Sequence, residues 1–110
     1  MPTSKGAYIE AATRLVEARV KALSDLSFSQ AAALPETDSA KFVIEGMASS
    51  ITTFRYSDAY AIEGRVLVVV LAARPTLLGI AAQHIERGLV FSPYEAVRPA
   101  TQLELQNSGG

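Results

Sequence analysis

The run Val66-Leu67-Val68-Val69-Val70-Leu71-Ala72-Ala73, held between Arg65 and Arg74, constrains this chain more than any other stretch. It has no polar side chain, and it is too short to cross a membrane as a helix, which takes about 20 apolar residues. Periodicity alone does not separate a buried strand from a buried helix segment of this length. Composition does: the Val residues lose rotamer freedom in a helix and pack well on a pleated surface. As a strand, it turns Val66, Val68, Val70 and Ala72 one way and Leu67, Val69, Leu71 and Ala73 the other. Leaving the face of Leu67, Val69 and Leu71 in water would forfeit roughly 4–9 kcal/mol. That is comparable to the net stability of a whole domain, about 5–15 kcal/mol. Both faces therefore need cover, from two layers of helix or from one layer and a partner chain.

The remaining elements read as what supplies that cover. Residues 6–24 form an amphipathic helix, with Ile9, Ala12, Val16, Val20 and Leu23 on one stripe. Glu10–Arg14 and Glu17–Lys21 lie opposite as i,i+4 pairs in the favourable order. Ala11, Ala18 and Ala22 widen the non-polar arc beyond what one sheet contact requires. Ser27-Phe28-Ser29-Gln30 has capping-box spacing and opens a short helix over 28–33, which Pro35 stops. Residues 41–62 read as extended, with a bulge or bend at Gly46. Glu63-Gly64 reads as a hairpin turn into the central strand.

After Arg74-Pro75, residues 76–87 read as a second main helix, with Leu77, Ile80, Ala81, His84 and Ile85 on its apolar arc. Gly88 reads as its left-handed C-cap. Leu89-Val90-Phe91 starts another strand, so strand, helix and strand imply a right-handed parallel crossover. Thr101 to Gln106 alternates and reads as an edge strand. The expected fold is α+β: a mixed, mostly antiparallel sheet of about four to five strands, the two main helices 6–24 and 76–87, and the short helix. The length of 110 residues fits one domain, expected over 1–106, with 107–110 a flexible tail.

Composition limits the chemistry. With no Cys there is no disulfide framework and no thiolate site, which suits a reducing compartment; the expected location is cytoplasmic. A net charge of -1 lacks the basic footprint of a nucleic-acid module. Glu10, Arg14 and Glu17 interrupt any signal-peptide core. One His without Cys makes a zinc site unexpected, and no metal or cofactor is expected. No nucleophile elbow or phosphate-cradling loop is present.

Two functions remain. The first is a non-enzymatic interaction module that self-associates, most simply as a dimer, or binds a protein partner. Ala11, Ala18, Ala22 and Phe54 are its candidate interface residues. The second is a small-molecule-binding domain or acid/base enzyme with its pocket between helix 76–87 and the sheet, around His84, Arg55, Tyr56 and Tyr60. His84 itself is expected to be buried, with a structural role.

Overall fold

The computed structural model describes residues 5–44, 46–57, 64–75 and 81–107. The element order is α1 (Lys5–Leu23), α2 (Phe28–Ala32), β1 (Thr37–Ile44), β2 (Met47–Ser57), β3 (Val66–Pro75), β4 (Ala81–Phe91), β5 (Arg98–Pro99) and α3 (Gln102–Asn107). The strands form one antiparallel sheet in the order β1-β2-β3-β4-β5. The fold is α+β, and the Val-rich run is its central strand.

Both faces of β3 leave water, as the run requires. Val66, Val68, Val70 and Ala72 are buried in a cluster with Tyr8, Ala12, Val16 and Leu23 of α1 and Ala31 of α2. At the top of α1 the Ser49 hydroxyl donates to the buried Tyr8 oxygen at 3.3 Å. Leu67 and Val69 pack on the other face with Val90, Leu105, Phe54, Tyr56 and Ala100. Leu71 and Ala73, at the far end of that face, stay half-buried. For Leu67 and Val69 the cover on this face, expected from a helix layer or a partner chain, comes from α3 and the neighbouring strands.

The short elements follow local chemistry. Ser27 caps α2 through the expected capping box, its hydroxyl accepting from the Gln30 N–H while the Gln30 side chain accepts from the Ser27 N–H. Glu10 and Arg14 form the expected pair on exposed α1, at 3.9 Å. Gly46, at φ 77°, makes the turn between β1 and β2, and Gly64, at φ 76°, precedes β3. β2 pairs antiparallel with β3 as expected but ends at Ser57, opposite Val66. The connecting residues 58–63, including Tyr60, lie outside the described residues.

Three expectations are corrected. Residues 81–87 are not helix: they belong to β4, and Pro75 ends β3 instead of opening a helix. Residues 76–80 lie outside the described residues. Ala81, Gln83, Glu86 and Arg87 favour helix locally, but β3 carries a full row of backbone donors and acceptors that must be paired once buried. Ladder formation with β4 satisfies them, and tertiary pairing overrides propensity. The parallel crossover goes with the helix, because β3 and β4 are antiparallel.

Gly88 is the second correction. It is a buried strand residue opposite Val69, with no left-handed backbone. Its need for no side chain comes from space: a Cβ there would lie 2.8 Å from Leu105 Cδ2, 3.1 Å from Ala100 Cβ and 3.3 Å from the Val68 carbonyl oxygen.

The third is Thr101–Gln106, which forms α3 rather than a strand. The Thr101 hydroxyl accepts from the Glu104 N–H at 3.2 Å, and the Glu104 carboxylate accepts from the Thr101 N–H at 2.8 Å. This reciprocal cap outweighs two-residue alternation. Arg98 on β5 grips the same carboxylate with two hydrogen bonds, of 2.8 and 2.7 Å, and so fixes α3 against the sheet.

Hydrogen bonding from Arg98 holds Glu104 down from 4.5 to about 2. A carboxyl group depressed in the folded state adds stability above its unfolded value and loses it as pH falls. The contribution of this latch is therefore complete above about pH 4.5 and disappears between there and about pH 2. Chemical denaturation across that range should show Glu104→Gln with a flatter acid limb than wild type. An identical limb would mean that the pair contributes nothing.

Candidate functional site

The residues proposed around a His84 pocket are not gathered. Arg55 faces the α1 side of the sheet, where its Nε donates to the Leu34 carbonyl and a terminal nitrogen donates to the Ser57 hydroxyl, both at 2.6 Å. It ties the segment after α2 to β2. Tyr56 lies on the opposite face, stacked on Phe54 with ring centroids 6.2 Å apart. Burial, with a smaller contribution from Glu86, pushes the Tyr56 phenol up, so it stays protonated. His84 occupies β4 in register with Ala73, and its side chain, like Tyr60, lies outside the described residues. The pocket required a helix over 76–87, and 81–87 are strand. Among the described residues no group of three or more His, Cys, Asp or Glu could hold a metal ion.

What the fold does assemble is an unusual strand edge. β1 is outermost in the sheet, and among the described residues no strand lies beyond it. The Arg55 N–H donates to the Glu36 carbonyl at 3.0 Å, in line with the register that pairs Thr37 with Phe54 and Ile44 with Met47. Bonded and non-bonded pairs alternate along an antiparallel ladder. Asp38, Ala40, Phe42 and Ile44 therefore turn their main-chain groups toward β2. Thr37, Ser39, Lys41 and Val43 turn theirs outward, unpaired by any described strand.

Apolar surface surrounds this edge. Phe42 is 43% exposed, Val43 75% and Leu15 of α1 38%. Leu15, Arg19, Asp38, Ala40, Phe42, Ile51 and Thr53 line a groove of about 270 Å³ between α1 and the sheet. A second recess lies beside it, among Ala11, Arg14, Leu15, Val43 and Ile44. Ala11, Leu15, Ala18 and Ala22 fall on one stripe of α1 by helical spacing. Ala11 is half-buried, whereas Ala18 and Ala22 are exposed. Of the alanines singled out from the sequence, Ala11 thus borders the β1 edge, Ala18 and Ala22 share its stripe of α1, and Phe54 lies on the opposite face of the sheet.

The opposite edge is built differently. β5 is only two residues long, Pro99 has no N–H to offer, and the adjoining Ala100 N–H is already bonded to the Gly88 carbonyl at 2.8 Å. Short edges and proline are the devices that block strand addition. β5 covers only the Leu89–Val90 end of β4, so among the described residues no strand lies beyond residues 81–87 of β4 either, and β1 is the edge without a strand beyond it along its whole length.

Sequence reasoning missed β1 as a site. Its signals were Phe42 and Val43 side by side, which no single buried face can absorb, and the polar Thr37-Asp38-Ser39 start of an edge strand.

No protein-family model matches this chain, and neither the curated proteins nor the solved structures contain a match. No described helix is long and apolar enough to cross a membrane.

Proposed function

We propose that this chain is a small interaction module that self-associates, with the outer edge of β1 as its contact surface. The observation that carries this reading is the open eight-residue β1 edge, bordered by exposed Leu15, Phe42 and Val43. An exposed edge strand is a template for pairing with another chain. Main-chain bonds supply the match, and the three apolar side chains supply the apolar centre of an interface. On the far side of the sheet, β5 and its proline cover the Leu89–Val90 end of β4, which leaves β1 as the edge exposed over its full length. Two copies that join β1 to β1 about a two-fold axis use this edge once each and form a closed pair, the commonest arrangement of a self-associating chain.

Light scattering on a sizing column at micromolar concentration tests the reading. A species of twice 11.7 kDa is expected, and a single 11.7 kDa species unchanged on concentration would overturn it. Lys41→Pro is the informative variant. The Lys41 N–H points away from β2, so proline removes an outward donor without breaking a β1–β2 bond. The variant should keep the wild-type circular dichroism and weaken self-association more than tenfold. A Lys41→Pro protein that associates as strongly as wild type would exclude the β1 edge.

A further inference from the structure

Resting on that reading, we infer that the partner of β1 is β1 of a second copy, paired antiparallel about a two-fold axis through Ala40. The register follows from the backbone. Only Thr37, Ser39, Lys41 and Val43 have outward main-chain groups, so each must face one of the same four residues in the second copy. Three symmetric registers pair at least three of these four residues, and they differ in what lies on the axis.

With Ser39 on the axis, Thr37 pairs with Lys41 and Val43 is left without a partner. With Lys41 on the axis, Thr37 is left over and two lysine side chains stand directly opposite each other, which is destabilising in a strand pair. With Ala40 on the axis, Thr37 meets Val43 and Ser39 meets Lys41, in both directions. All four outward residues are then bonded, through about eight main-chain hydrogen bonds at two per bonded pair. The lysines are offset along the strands. Ala40 faces its own copy, and its small exposed side chain leaves room at the axis.

The same register suits the α1 side of the sheet. Asp38, Ala40 and Phe42 share that face. About an Ala40 axis each Phe42 stands across from Asp38 of the second copy, beside the groove lined by Leu15, Ala40 and Arg19. The axis is perpendicular to the sheet, so both α1 helices lie on one side. Leu15 of each copy then borders the seam from either flank. Lys41, which discourages indiscriminate edge pairing, here excludes the register in which it would meet itself.

The chain has no Cys, so single-cysteine variants read the register directly. At a non-hydrogen-bonded pair the Cα atoms are about 4.5 Å apart, within the range a disulfide spans. Ala40→Cys should give a disulfide-linked dimer under mild oxidation. Ser39→Cys and Lys41→Cys should not, because in this register each sits more than about 7 Å from its own symmetry mate. Tyr94→Cys, 96% exposed and near the opposite edge, measures random collision. Faster cross-linking at Ala40 than at the other three supports the inference. Cross-linking led by Ser39→Cys or Lys41→Cys overturns the register but keeps self-association through β1. A wild-type dimer in which none of the three β1 variants links faster than Tyr94→Cys overturns the pairing itself. A monomeric wild type overturns both this inference and the proposed function.

Discussion

Leu67→Ala should lower unfolding stability by about 2–5 kcal/mol, the range for truncating a buried leucine. Leu67 is fully buried between Tyr56 and Val90 in the ladder, with Val69 and Leu105 packed around it. Its surroundings are fixed by three strands and by the Arg98–Glu104 latch, so the site has little freedom to collapse into the space left behind. Leu71 lies on the same face of the same strand but is only half-buried. Leu71→Ala should therefore cost clearly less. Urea titrations of the two variants beside wild type make the comparison with matched chemistry. Equal losses would show that the Leu67 face is not sealed by α3.

Gly88→Val should destabilise by about 1–3 kcal/mol or more through overpacking. The added side chain enters the space held by Leu105 Cδ2 and Ala100 Cβ and presses toward the Val68 carbonyl. Gly88→Ala should be milder, because a single methyl can be met by a small shift of the Leu105 side chain. Gly88→Asn should be no milder than Gly88→Val, since the constraint is space and not a left-handed backbone. Combining Gly88→Val with Leu105→Ala should give a smaller loss than the sum of the two single changes, because residues in contact are not additive. Thermal melts of this set decide the matter. Strict additivity would mean that α3 does not dock on Gly88.

The first of these expectations shows where local sequence was a good guide. The Val-rich run identified the central strand and required both of its faces to be dry. The α1 stripe, the Ser27–Gln30 cap and the antiparallel approach of β2 were legible for similar reasons: each is a short-range pattern whose physics is complete within a few residues. The same local physics was present at Thr101-Gln102-Leu103-Glu104, where the capping-box spacing was overshadowed by the alternation of Leu103 and Leu105. Residues 81–87 misled in the opposite way. Ala81, Ala82, Gln83 and Glu86 favour helix, while Ile85, Arg87, Leu89 and Phe91 carry the two-residue alternation of a strand.

The sequence by itself determined that one β-strand would be buried on both faces, that a long amphipathic helix would cover it, and that no thiol chemistry was available. These follow from side-chain type and spacing, which need no knowledge of the partner element. The tertiary structure alone decided that 81–91 serves as the neighbour of β3, because unpaired backbone groups beside a buried strand cost more than helix propensity returns. It decided that Gly88 is needed for the approach of Leu105, a contact between residues brought together only by folding. It also decided that β1 lies at the edge of the sheet. An edge is a property of strand order, and strand order is set by how all five strands pair, so nothing within Thr37–Ile44 could reveal that its outer side faces no other described strand.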